Sequence, residues 1–60
     1  MKALELLRKL RQDGWEEKNQ EGSHLHLTHP TKKGKVTIPM HKGDLPIGTV
    51  KAILKQAGLK

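Results

Sequence analysis

The stretch Gly22-Ser23-His24-Leu25-His26-Leu27-Thr28-His29-Pro30 decides how this chain folds. From His24 to Thr28 polar and apolar residues alternate strictly. Successive side chains of a strand point to opposite faces, so Leu25 and Leu27 share one face while His24, His26 and Thr28 share the other. Pro30-Thr31-Lys32-Lys33-Gly34 then has the composition of a turn. Lys35 to Pro39 alternates again, with Val36 and Ile38 inward and Lys35 and Thr37 outward. Two short alternating runs around a lysine-bearing turn predict an antiparallel hairpin with strands at 23–29 and 35–39. Its outer face would carry His24, His26, Thr28, Lys35 and Thr37.

The flanking sequence supplies what covers the inner face. Residues 2–13 place Ala3, Leu6, Leu7 and Leu10 on one helical stripe, with Leu4 beside them, and Gly14 offers a left-handed cap. Trp15 packs on the core as the chain enters an edge strand ending at Gln20, whose polarity discourages pairing with other chains. Glu21-Gly22 is the expected turn. After a loop from Met40 to Leu45, Pro46 opens a second helix, since its missing N–H costs nothing in a first turn. Ile47, Val50, Ile53, Leu54 and Ala57 form its apolar stripe and Gly58 its cap. The order helix, three strands, helix predicts one α+β domain over residues 1–60. Its three-stranded antiparallel sheet has both helices on one face, because neither helix buries its stripe otherwise. The opposite face stays open, polar, basic and histidine-bearing.

Sixty residues with 33% apolar content support one thin core, and a chain this small gains from a stabilising partner. The absence of cysteine excludes disulfides and thiolate zinc sites. Residues 1–21 balance five bases with five acids, whereas residues 22–60 hold seven lysines against Asp44 alone. All of the net charge of +6 therefore follows the Gly22-Ser23-His24 step. Clustered lysine points to a polyanion, either nucleic acid or an acidic protein that mimics it. A solvated surface is the plain alternative. Glu5, Arg8 and Lys9 interrupt the first helix, so no signal-peptide core or membrane span is expected, and the chain reads as cytoplasmic.

RNA brings its own nucleophile, the 2′-hydroxyl beside each phosphate. Cleavage then needs proton transfer and cationic or N–H stabilisation of the phosphate. His24 is the candidate for proton transfer. Gly22 would let backbone N–H groups approach a phosphate, and Ser23 adds a donor. Lys32, Lys33 and Lys35 would supply charge. His26, on the same face, is the best second acid or base, with His41 behind it. A zinc site built from His24, His26, His29 and His41 is disfavoured by the opposite parity of His29. No cofactor is expected. Stacking of single strands is disfavoured because Trp15 is the sole aromatic, and neither helix carries the set that reads base edges. A non-catalytic module that holds RNA by charge is the alternative to an enzyme.

Gly22-Ser23-His24, His29-Pro30, Val36-Thr37-Ile38-Pro39, His41, and Leu45 followed by Gly48-Thr49-Val50-Lys51-Ala52-Ile53-Leu54-Lys55-Gln56-Ala57-Gly58-Leu59 together resemble the HicA toxin family, as does an opening helix that ends in Gly14-Trp15. The resemblance implies a fold like a double-stranded RNA-binding domain and a ribonuclease toxin that cleaves mRNA. It implies a cognate HicB-type antitoxin, acidic toward this basic chain, so that the toxin is a monomer alone and a hetero-oligomer when inhibited. It places the family's catalytic histidine on His24 and its adjoining glycine on Gly22. The first strand departs from the family, because Glu16-Glu17-Lys18-Asn19-Gln20 replaces the usual arginine and apolar residues. Glu16, Glu17 and Glu21 would either repel phosphate or orient His24.

Overall fold

The computed structural model describes residues 1–40 and 42–59. The elements are α1 (Ala3–Gln12), β1 (Glu16–Glu21), β2 (His24–Thr28), β3 (Lys35–Pro39) and α2 (Ile47–Gln56). The three strands form one antiparallel sheet in the order β1-β2-β3, which makes the fold α+β. Leu25, Leu27, Val36 and Ile38 join Leu6, Leu7 and Leu10 of α1 and Val50 and Ile53 of α2 in one buried cluster. Both helices therefore lie on the inward face of the sheet.

Both helices stop in the same way. In α1 the Trp15 N–H donates to Leu10 O and the Gly14 N–H to Arg11 O; in α2 the Leu59 N–H donates to Leu54 O and the Gly58 N–H to Lys55 O. These are the paired bonds of a Schellman motif, which needs a positive φ at its glycine. Gly14 has φ +106° and Gly58 φ +80°.

The first strand differs in detail from its expected bounds. Trp15 lies before β1 as a buried residue, and β1 runs on to Glu21, so the turn is Gly22-Ser23. A two-residue loop with φ +59° at Gly22 and no positive φ at Ser23 has the pattern of a II′ hairpin turn. Every residue of β1 is exposed. No residue of β1 joins the buried cluster that the helices form with β2 and β3, so even its inward residues Glu17 and Gln20 meet solvent. Glu17 instead accepts a hydrogen bond from Arg11 of α1 at 3.2 Å.

The apolar stripes are buried unevenly. Ile47 is 74% exposed and Leu54 only half-buried. At 100° per residue both fall on one flank of the arc centred on Val50, Ile53 and Ala57. Leu45 lies in the expected loop and is buried there, and its N–H donates to Met1 O at 2.9 Å. Leu4 is likewise exposed, at 69%.

Candidate functional site

Partners directly opposite in an antiparallel ladder share a face, so the register maps the open face in three rows. The row nearest the Gly22-Ser23 turn is Glu21, His24 and Pro39. The next is Asn19, His26 and Thr37, and the third is Glu16, Thr28 and Lys35. The β1–β2 ladder is bulged at Lys18, between the pairs Glu17–Leu27 and Asn19–His26. The extra residue reconciles two parities. Glu17 faces the helices at one end of β1, while Asn19 and Glu21 lie on the open face at the other.

His24 is exposed at the start of β2, beside the turn. No hydrogen bond ties its ring to another described residue. Ser23 is half-buried, and its carbonyl accepts the Met40 N–H at 2.6 Å, which joins the turn to the end of β3. A Cβ on Gly22 would meet nothing within 4 Å. Its requirement for glycine therefore comes from its left-handed backbone.

His26 is held on both sides. Its Nδ1 lies 2.8 Å from Thr37 Oγ1 and its Nε2 2.9 Å from Glu21 Oε1. An ionised carboxylate only accepts hydrogen bonds, so Nε2 carries a proton. The Thr37 hydroxyl donates to Nδ1 of the neutral ring and accepts from it in the cation. The His26 side chain is 15% exposed and that of Glu21 is 75% exposed.

His29, of opposite parity, has a structural post. Its Nε2 donates to the Asp13 carbonyl at 2.8 Å, and its Nδ1 accepts the Thr31 and Lys32 N–H groups, each at 3.1 Å. The ring meets Trp15 edge-on at a centroid distance of 5.3 Å. Lys32 shares this clamp. Its ammonium donates to Asp13 Oδ2 and, at 3.0 Å, to the Ala57 carbonyl. One cation thereby joins the side chain that ends α1 to the carbonyl that ends α2, where a positive charge meets the negative end of the helix. Trp15 Nε1 donates to the same Ala57 carbonyl at 3.3 Å. The Lys32 hydrogen bond is the main cause that holds the Asp13 carboxyl below its ordinary value of 3.8.

A sequence model of the HicA toxin family, the HicA toxin of bacterial toxin–antitoxin systems, matches residues 3–59. This chain belongs to that family. No curated protein matches it.

In this HicA chain the register brings Gly22, Ser23, His24 and His26 together at one end of the hairpin. Lys35 stands on the same face two rows away, and Lys33 is exposed in the turn before it. His41 lies outside the described residues. Among the described residues no group of three or more His, Cys, Asp or Glu gathers as a metal site, and no helix is long and apolar enough to cross a membrane. The open face is less basic than expected, because Glu16 and Glu21 share it with Lys35. Sequence reasoning missed Thr37 and Glu21 as partners of His26. The signal for Thr37 was its outward parity on β3. Nothing in the composition of β1 marks the bulge that sets which of its acids face outward.

Proposed function

We propose that this HicA toxin is an endoribonuclease that cleaves mRNA through His24 and is held in check by a HicB-type antitoxin. The observation that carries this reading is the contrast among the three described histidines. His26 and His29 are engaged at both ring nitrogens, whereas His24 is exposed, has no partner among the described residues, and sits beside a glycine turn. A group that moves protons on a bound polymer has to be reachable and free to accept one.

RNA supplies the nucleophile. The 2′-oxygen forms a bond to the adjacent phosphorus and loses its proton to a base; the bond to the 5′-oxygen breaks, and that oxygen takes up a proton. A 2′,3′-cyclic phosphate and a 5′-hydroxyl result, and the step as written needs no metal ion. His24 carries the proton transfer, typically worth about 10²–10⁴-fold. Gly22 and Ser23 shape the phosphate site, His26 lies against it, and Lys33 and Lys35 hold the backbone. Lys32 is committed to the helix clamp.

The chain acts as one domain over residues 1–60, monomeric when free. An acidic antitoxin would cover His24 and the open face and block RNA by occupancy. Induced expression in bacteria of the chain and of its His24→Ala form, with growth and mRNA length followed together, tests the reading. Arrest with shortened mRNA from the first chain only is expected. Arrest by both with intact mRNA would replace the enzyme with a non-catalytic RNA-binding module.

A further inference from the structure

Glu21 reaches across the hairpin to His26 although its strand partner is His24. The Thr37 hydroxyl fixes the ring from the other side, so the Nε2–H points at one place on the open face, and a carboxylate oxygen occupies that place at 2.9 Å. A phosphate oxygen is an acceptor of the same charge sign and the same hydrogen-bond length. We propose that His26 Nε2–H is a binding site for a phosphate oxygen, and that the Glu21 carboxylate fills it in the free protein and is displaced when a phosphate arrives. Assigning that phosphate to RNA rests on the ribonuclease reading above.

The exposure of Glu21 and the weakness of its contact support displacement rather than permanent pairing. The Glu21 side chain is 75% exposed, so it swings into water without breaking any packing. A single hydrogen bond to a carboxylate that stands largely in water adds little net stability, because water competes for the same acceptor, and it is readily exchanged. His26 sits one row from His24 on the same strand face, and two residues along a strand span roughly 6.5 Å, so a phosphate held at His26 would neighbour one at His24. The charged and titratable groups that face the ring are Glu21 and Glu16 from β1, His24 from β2 and Lys35 from β3, with Asn19 and Thr37 directly opposite it. Of the two acids, only Glu21 bonds the ring.

The test compares two acids of equal charge on the same strand and face. A 2′-O-methyl oligoribonucleotide, which lacks the nucleophile and so is not cut, serves as the binding probe for the full chain. Glu21→Ala is expected to tighten binding roughly fivefold, and Glu16→Ala less than twofold. Equal gains from both would mean that only net charge matters and would overturn the proposal. As a readout free of RNA, inorganic phosphate is titrated while the ¹⁵N resonance of His26 Nε2 is followed. A shift that saturates at lower phosphate in Glu21→Ala than in wild type is expected, and an unmoved His26 resonance in Glu21→Ala overturns the site. A chain that shifts His26 with phosphate yet neither binds nor cuts RNA would keep the anion site and remove the ribonuclease reading. A chain that cuts RNA while phosphate leaves the His26 resonance unmoved and the two substitutions change RNA affinity by the same factor would do the reverse.

Discussion

Gly14 and Gly48 are the same residue type under opposite constraints. At Gly14 the backbone is left-handed, and an added Cβ would stand 2.7 Å from His29 Nε2. Gly14→Ala thus meets both backbone strain and the ring that caps the end of α1, and is expected to cost about 2 kcal/mol or more. Gly48 lies in the first turn of α2, where a Cβ meets nothing within 4 Å. Gly48→Ala is expected to stabilise by about 0.5 kcal/mol through helix propensity. Thermal unfolding of the two variants should move in opposite directions, by roughly 8 °C or more down and a few degrees up for a domain of this size. His24 illustrates a third situation, an exposed side chain with no described partner. His24→Ala is expected to lower RNA cleavage by about 10²–10⁴-fold while stability stays within about 0.5 kcal/mol. A large fall in melting temperature would mean that the residue serves the fold.

At the level of elements, the fold is closed by a clamp that no single element contains. Asp13 ends α1, Lys32 lies in the β2–β3 turn, and Ala57 ends α2. Because the Asp13 carboxyl is depressed in the fold, its contribution is fully present above the value it has when unfolded, and is lost as pH falls through the folded value. Loss of stability from this source therefore begins below about pH 4. Lys32→Met removes the main cause of the depression. Its melting temperature is expected to lie below wild type at neutral pH, and to fall less than that of wild type between pH 5 and pH 3. Parallel curves would assign the acid sensitivity to other carboxylates. This clamp also marks the limit of what could be read from sequence. Period-2 alternation fixed the faces of Leu25, Leu27, Val36 and Ile38 and of His24 and His26, and glycine spacing fixed both helix ends. The ties of Lys32 to Asp13 and Ala57 were not legible, because these partners come from residues 19 and 25 positions away, which no local pattern reveals. Ile47 looked buried because periodicity gives the direction of a stripe but not how far the sheet extends beneath it. Glu21 was ambiguous because its face depends on a bulge and a turn together.

Over the whole molecule, charge and site are not arranged as one basic face. The chain measures 31 × 25 × 16 Å, with the helices on one side of the sheet and His24 and His26 on the other. Lys51 and Lys55 are exposed on α2, on the helix side, whereas Lys33 and Lys35 lie at the hairpin end next to the open face. The sheet stands between the α2 lysines and the open face, and charges beyond the screening length of about 8 Å at physiological salt interact weakly, so lysines of α2 add little to the grip on an RNA lying across the sheet. That geometry sets the salt dependence of binding. Each neutralised phosphate of a single strand contributes about −0.7 to the slope of log affinity against log salt. Lys33, Lys35 and His26 together predict a slope of about −1.5 to −2. Engagement of Lys42, Lys51 and Lys55 besides the two hairpin lysines would bring it to about −3.5. Lys35→Ala should make the slope shallower by about 0.7, and Lys51→Ala should leave it unchanged. A slope near −3.5 that responds to Lys51 would place the RNA along α2 and away from His24, and an enzyme acting through His24 would then need a substrate that wraps the edge of the sheet.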